Sequence, residues 1–197
     1  MILEGIVTTI DAEGRLNVAP MGPNVEPSMQ RFILRPFQSS TTYRNLKATG
    51  EGVLHVTDDV LLFARTAIGH AADAETRPAA VVGGQILVGS CRYFEFRVTD
   101  LDDRQERTTI IAETVAEGRF RDFFGFNRAK HAVIEAAILA TRTSFLALGD
   151  IEADFEKLEP LVDKTGGNAE RAAFSLLVAY VAEEARRRGE PFAMMRP

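Results

Sequence analysis

The sequence contains little cysteine, histidine or tryptophan, and each shortage excludes a kind of site. Its 197 residues include one cysteine, three histidines and no tryptophan. The single Cys91 excludes an internal disulfide framework and a cysteine-based zinc site. His55, His70 and His131 lack the spacing of a metal-binding motif. We therefore expect no metal, and a reducing cytoplasm is the simplest compartment.

Long apolar runs and an excess of positive charge are also missing. No run approaches the roughly 20 apolar residues needed to span a bilayer. The first residues, MILEGIVTTID, contain Glu4 and no basic region, unlike a signal peptide. The net charge of −5 argues against nucleic-acid binding, since a nucleic-acid partner calls for a basic surface. We expect a soluble globular protein with no membrane or nucleic-acid partner.

The first 125 residues have the pattern of short strands separated by turns. Apolar and β-branched runs predict strands at 2–10, 16–21 and 29–34. Longer alternating segments at 85–100 and 108–116 predict a hairpin, and an exposed loop is expected at 70–82. From residue 127 onward the periodicity becomes helical. The sequence thus predicts an α+β protein with a β-rich domain at 1–125 and a helical extension at 126–197 that packs on it.

A short helix between the strands carries the strongest signal for a site. Four hydroxyl residues, Ser39–Thr42, precede a helical segment that ends at Gly50. The first N–H groups of a helix lack partners within it, and together with the helix dipole they favour an anion. Arg35 or Arg44 can add a charge-assisted contact to a phosphate. Taken alone, such a segment is more often an ordinary capped helix than an anion site.

A second segment, residues 17–22 (N-V-A-P-M-G), ends a strand with small residues and a proline. Such a strand end leaves backbone groups unpaired and lets a flat ligand approach closely. An isoalloxazine ring needs apolar surface beneath it and backbone donors and acceptors along its polar edge. By itself, the pattern is equally that of an edge strand ending in a turn.

Together and in this order, the two segments resemble the FMN-binding split-barrel superfamily, which includes flavin-reductase-like and pyridoxamine-phosphate-oxidase-like proteins. In the flavin-reductase branch, a K-D-T-x-x-N-like motif binds the FMN phosphate. Thr42-Tyr43-Arg44-Asn45 matches the T-x-x-N part, while Ser40 and Thr41 stand where the lysine and aspartate would. The missing lysine leaves Arg35 or Arg44 as the expected counter-charge.

Over nearly its whole length, the chain is more closely similar to a largely archaeal, uncharacterised family of that superfamily. One departure is His55, where an asparagine would be expected on the strand after the helix. The shared motifs are E-x-I-V-T-T (4–9), N-x-A-P-M-G (17–22), R-P-F (35–37), S-x-T-Y-R-N-L (40–46), D-D-x-L-x-F-A (58–64), F-N-R-A-K (126–130), T-R (141–142) and K-T-G-G (164–167).

The resemblance implies a six-stranded split β-barrel that forms a homodimer, with two FMN sites at the subunit interface, each built from both subunits. It implies FMN as cofactor and favours a flavin-dependent oxidoreductase with a small-molecule electron donor. No residue is predicted to be catalytic, because flavin carries the electron chemistry. The expected cofactor-binding residues are Asn17, Ala19, Pro20, Met21, Arg35, Ser39, Ser40, Thr41, Thr42, Asn45, His55, Asn127 and Lys130.

Two other functions stay open. One is a non-catalytic flavin- or heme-binding store or sensor, for which His55 is the best-placed axial ligand of a heme. The other is a structural β-barrel dimer without cofactor. For Asn127 and Lys130, a helix cap and a solvated lysine are as good an explanation as a cofactor contact.

Overall fold

The computed structural model of the chain describes residues 1–70 and 74–194. These residues form two compact units. The first contains the described residues of Met1–Asp58 and Asp73–Phe123, and the second those of Asp59–Ala72 and Phe124–Pro197. Over the described ranges, no helix is both long enough and apolar enough to span a bilayer.

The first unit is built on one antiparallel sheet of seven strands within the described residues, in the order β2-β1-β5-β8-β9-β4-β3, and a separate hairpin of β6 and β7. The strands are β1 (Gly5–Ile10), β2 (Leu16–Met21), β3 (Asn24–Val25), β4 (Arg31–Leu34), β5 (Glu51–Val56), β6 (Thr76–Pro78), β7 (Gln85–Leu87), β8 (Arg92–Asp102) and β9 (Thr109–Arg119).

The sheet curls back on itself because the N-terminus pairs with the opposite edge. Ile2 bridges Asn24 of β3, and the N–H of Leu3 donates to the carbonyl of Pro23 at 3.0 Å. This closure produces the predicted split barrel. The sheet has seven strands rather than six, because the two-residue β3 lies where the sequence indicated only a turn.

The core of the barrel combines the inward faces of the strands with the helix α1 (Thr41–Thr49). The rings of Phe32 and Phe96 meet edge to face, with centroids 5.2 Å apart. Tyr43 and Leu46 of α1 are buried in the same core. A Cβ at Gly52 would lie 2.6 Å from the ring of Phe96, so the close approach of β5 to β8 depends on glycine there.

The other face of β5 and β8 is covered by the segment that carries β6 and β7. Val82 and Ile86 pack on Val53 there. Glu95 is buried under this segment and accepts hydrogen bonds of 2.7–3.1 Å from the N–H groups of residues 80–82. The carboxylate therefore satisfies backbone donors that a covered loop would otherwise leave unpaired.

The prediction of an exposed loop at 70–82 is therefore wrong in part. Thr76–Pro78 forms β6, and Val82 is buried. Composition suggested solvent exposure, but residues 80–82 are held down by Glu95 of β8, which the local sequence does not reveal. Residues 71–73 of the predicted loop lie outside the described residues.

The second unit contains four helices within the described residues: α2 (Val60–Ala67), α3 (Arg128–Ala140), α4 (Leu148–Thr165) and α5 (Asn168–Arg188). The helix α2 packs against α3 and α5 and buries Val60, Phe63 and Ala64. The predicted β-rich domain at 1–125 includes this helix, because in the sequence it lies between two strands of the first unit. A boundary near residue 125 and the packing of the helical extension on the barrel stay predictions.

Candidate functional site

The helix α1 ends at Gly50 as the sequence predicts, and it begins within the run of four hydroxyl residues, two of which belong to its first turn. Ser40 has extended backbone, and its Oγ accepts a hydrogen bond of 3.1 Å from the N–H of Tyr43. Gly50 ends the helix in the left-handed conformation, with φ of 68°. Ser39 and Thr41 are exposed beside this cap, so hydroxyl groups surround the start of the helix.

Four polar side chains join the two sequence segments into one group, the Thr9 cluster, formed by Thr9, Asn17, Thr42 and Asn45. The Nδ2 of Asn17 donates to the Oγ1 of Thr42 at 3.1 Å and to that of Thr9 at 3.2 Å. The Nδ2 of Asn45 donates to the same Thr9 oxygen at 3.0 Å. Thr9, Thr42 and Asn45 are buried and Asn17 is half-buried. Sequence reasoning missed Thr9, although it lies on the predicted strand that comes just before that of Asn17, and the two residues are opposite each other in the β1–β2 ladder.

The other residues of the N-x-A-P-M-G segment lie along β2, at the edge of the sheet. Ala19, Pro20 and Met21 are half-buried and are paired with β1. Pro20 continues the ladder opposite Ile6, whereas the sequence suggested that it would interrupt pairing. Proline has no N–H to donate. An edge strand tolerates it where the N–H side would face solvent, because no hydrogen bond of the ladder is then lost.

Of the two candidate arginines, Arg44 lies at the start of α1. Its Nη1 donates to the carbonyl of Ser39 at 2.7 Å, and its Nη2 donates to the Oγ1 of Thr41 at 2.9 Å. Arg35 is exposed on the segment before the helix, and its carbonyl accepts a hydrogen bond from the Nε of Arg107 at 3.2 Å.

A charged group fastens α1 to the turn between β8 and β9. Asp103 accepts hydrogen bonds from the hydroxyl of Tyr43 and the Nζ of Lys47, both at 2.7 Å. The hydrogen bonds from Lys47 and Tyr43 lower the pKa of Asp103, and the same group raises the pKa of Lys47. This contact was not predicted, since Asp103 lies more than 50 residues beyond the helix in sequence.

His55 is fully buried, and the backbone uses both of its ring nitrogens. The N–H of Leu87 donates to Nε2 at 3.0 Å, so Nδ1 carries the proton and donates to the carbonyl of Ile6 at 3.1 Å. Burial lowers the pKa of His55 to about 4. With no exposed surface and no free nitrogen, His55 cannot contact a cofactor in this structure, and we leave it out of the candidate site.

Asn127 lies in the second unit, at the start of α3. Its Oδ1 accepts hydrogen bonds from the N–H groups of Ala129 and Lys130, at 2.9 and 3.1 Å, and its Nδ2 donates to the carbonyl of Thr165 at 3.1 Å. The side chain thus caps α3 and ties it to the end of α4.

Lys130 forms an ion pair with Glu170 of α5, with Nζ and Oε1 2.9 Å apart and both side chains mostly buried. Burial alone would raise the pKa of Glu170, but hydrogen bonds from Lys130 and the N–H of Gly167 bring it below the usual value. The F-N-R-A-K and K-T-G-G motifs therefore meet, and helix capping and pairing account for them. A cofactor contact by Asn127 or Lys130 stays a prediction.

Comparison with known families assigns the chain. A family model described as the N-terminal domain of a protein of unknown function, DUF447, matches residues 3–120, and a second DUF447 model matches residues 127–179. The chain belongs to the DUF447 family. A comparison with curated proteins found no match.

Solved structures share the fold of this DUF447 chain. An FMN-bound DUF447 protein from Methanosarcina mazei is 24% identical, with a TM-score of 0.76 over 91% of this chain and 94% of that one. The flavin reductase HpaC, complexed with NADP+, is 20% identical, with a TM-score of 0.53 over 63% of this chain and 83% of that one. The 2-nitrobenzoate 2-nitroreductase of Pseudomonas fluorescens is 17% identical, with a TM-score of 0.52 over 59% and 64%. The predicted family and fold class are confirmed.

Proposed function

We propose that this DUF447 chain binds FMN with the flavin phosphate at the start of α1. The Thr9 cluster carries the proposal, because it joins Asn17 of β2 to Thr42 and Asn45 of α1 by direct hydrogen bonds. The two sequence segments that resemble a flavin site thus meet at one place. The FMN-bound relative from Methanosarcina mazei, which shares the fold over 91% of this chain, supports the choice of ligand.

The phosphate would bind the hydroxyls of Ser39 and Thr41 and N–H groups of the first turn of α1 other than that of Tyr43, which donates to Ser40. A helix start combines unpaired N–H groups with the positive end of the dipole, which suits a doubly charged phosphate. Arg44 would supply the counter-charge that the missing lysine does not. Its guanidinium already lies at the helix start and would exchange its contacts with Ser39 and Thr41 for phosphate oxygens.

The isoalloxazine ring would lie against Ala19, Pro20 and Met21 of β2. These residues offer half-buried, largely apolar surface on an edge strand, where one side of the backbone has no neighbouring strand in the sheet of the described residues. A ring bound there has apolar contacts and access to backbone groups. We further propose the predicted homodimer, with each flavin site completed by the second subunit.

The function we propose is that of a flavin-dependent oxidoreductase with a small-molecule electron donor. Relatives of the same fold include a flavin reductase complexed with NADP+ and a nitroreductase, which supports a redox role. Heme binding is disfavoured, because His55, the candidate axial ligand, has both ring nitrogens hydrogen-bonded to the backbone.

Titration of the flavin-free protein with FMN and with riboflavin tests the proposal. Arg44→Ala should weaken FMN binding by about 10- to 100-fold, since a hydrogen bond to a charged group contributes about 1.5–3 kcal/mol. Riboflavin has no phosphate, so its affinity should not change. Arg35→Ala tests the alternative counter-charge, and with Arg44 at the helix start it should leave both affinities unchanged.

Absence of FMN binding to the unmodified protein would refute the proposed function, and an effect of Arg35→Ala alone would transfer the phosphate contact to Arg35.

A second experiment tests the proposed redox activity. NADH, NADPH or a reduced deazaflavin is added to the FMN-loaded protein under anaerobic conditions. Bleaching of the flavin by one of them is expected. If FMN binds but none of the donors reduces it, the non-catalytic function is favoured instead.

A further inference from the structure

We infer that Thr9 is a positioning residue that, held together with Asn45, orients the Asn17 amide so that its Oδ1 accepts a hydrogen bond from a ribityl hydroxyl of the flavin. This inference rests on the proposed FMN site and adds to it the part of the ligand that the Thr9 cluster recognises. The observation behind it is the meeting of two amide nitrogens on one buried hydroxyl.

Thr9 cannot reach a ligand itself. It lies on β1, between β2 and β5, and its exposed fraction is 0%. It stands opposite Asn17 in the β1–β2 ladder, and its hydroxyl accepts hydrogen bonds from Asn17 and Asn45. Any effect of Thr9 on a ligand must therefore pass through these two side chains.

The chemistry of a hydroxyl limits how the two amides can be turned. A threonine hydroxyl has two acceptor sites and one hydrogen, so it can serve at most one amide oxygen as a donor. At least one amide must present its nitrogen, and here both do. An amide oxygen lies on the opposite side of the planar group from its nitrogen. Both Oδ1 atoms are thus directed away from Thr9.

The group that Asn17 has left for a ligand is therefore an acceptor, its Oδ1. Asn17 donates through one amide nitrogen to both Thr9 and Thr42, which uses both of its N–H groups. Asn17 is half-buried, so its Oδ1 can meet a ligand. The cluster joins β2, the proposed place of the ring, to α1, the proposed place of the phosphate. The ribityl chain joins these two parts of FMN, and each of its hydroxyls can donate a hydrogen bond to such an acceptor.

Thr9→Val tests the inference, because valine keeps the shape of threonine and removes the hydroxyl. The probes are FMN, riboflavin and lumiflavin, which has the same ring without the ribityl chain. Thr9→Val should weaken FMN and riboflavin by a similar factor of about 3 to 10, the size expected for one neutral hydrogen bond, and should leave lumiflavin unchanged. Thr9→Ser should restore the affinities.

Thr8→Val is the matched control. Thr8 is also fully buried on β1, but its hydroxyl donates to the carbonyl of Gln85, under the segment that carries β6 and β7. Its loss should not change the ratio of riboflavin to lumiflavin affinity. Equal weakening of all three ligands by Thr9→Val would show general damage to the fold and would overturn the inference.

The unmodified protein provides a second test that does not depend on whether Thr9→Val folds. It should bind riboflavin more tightly than lumiflavin. Equal affinities would show that the ribityl hydroxyls are not recognised. This result would refute the inference but not the proposed binding of FMN. If the unmodified protein bound no FMN at all, the proposed function itself would fail, together with this inference.

Discussion

At the scale of single residues, this protein satisfies its buried polar side chains mainly with backbone groups. Glu95 accepts hydrogen bonds from three successive N–H groups, and His55 is held between the carbonyl of Ile6 and the N–H of Leu87. A buried polar group without a partner costs about 1–3 kcal/mol, so these contacts are needed to keep the strands and their covering segment together.

The environment of His55 predicts a loss of stability in mild acid. Its pKa is lowered to about 4 by burial, whereas in the unfolded chain it is about 6.5. The unfolded chain then binds the proton more readily, so stability is complete above about pH 6.5 and is lost as the pH falls toward about 4. By about pH 5 we expect a loss of about 2 kcal/mol, measured as the free energy of unfolding in urea.

Two histidine variants isolate this contribution. His55→Asn should flatten the pH dependence between about pH 7 and pH 5, whatever it does to stability at neutral pH. His131→Asn should retain the full dependence, because His131 is exposed on α3. An unmodified protein whose stability is constant over this interval would contradict the assignment of a depressed pKa to His55.

At the scale of secondary-structure elements, α1 connects the polar site to the core. One side of the helix contributes Tyr43 and Leu46 to the barrel core, and its first turns contribute Thr42 and Asn45 to the Thr9 cluster. The position of the helix start, and with it the proposed phosphate site, thus depends on how the helix is capped and packed.

At the C-terminal end of α1, the backbone conformation of Gly50 alone predicts how substitutions there change the stability of the protein. Gly50 has φ of 68°, and a Cβ added there would meet nothing within 4 Å. Gly50→Ala should therefore destabilise the protein by about 1–2 kcal/mol through the left-handed conformation and not through a clash. Gly50→Asn should cost less, since asparagine tolerates this conformation. Urea denaturation followed by circular dichroism measures both, and equal stability of all three proteins would refute the explanation.

The elements that the sequence predicted well are those whose determinants are local. The start of α1 and its end at Gly50 depend on residues within one turn, so capping rules located the start to the run Ser39–Thr42 and identified the end. The longer strands of the barrel and the C-terminal helices followed from hydrophobic periodicity in the same way, but the two-residue β3 did not.

What the sequence did not predict depends on contacts between different secondary-structure elements. The cover over β5 and β8 needs Glu95, and the contact between α1 and the β8–β9 turn needs Asp103. In the candidate site, both segments were identified, but Thr9 was not, because its role comes from two amides that the fold brings to it. His55 was overvalued, since the sequence does not reveal that the backbone occupies both ring nitrogens.

At the scale of the whole molecule, the chain builds its second unit from two separate stretches. The helix α2 lies between β5 and β6 in sequence, yet it packs against α3 and α5. Phe63 is one of its buried residues, with 3% of its surface exposed. Stability of the C-terminal helices should therefore depend on a residue about 60 positions before they begin.

Phe63→Ala and Phe94→Ala form a matched pair that tests this organisation, because each removes a buried phenylalanine from one unit. Such a substitution lowers the stability of the unit that contains it by about 3–5 kcal/mol. In hydrogen exchange, Phe63→Ala should accelerate exchange in α3, α4 and α5 and leave the barrel strands protected, while Phe94→Ala should do the reverse. If Phe63→Ala instead accelerated exchange in the barrel strands to the same extent, the two units would unfold together. The two units would then be separately packed but would not have separate stabilities.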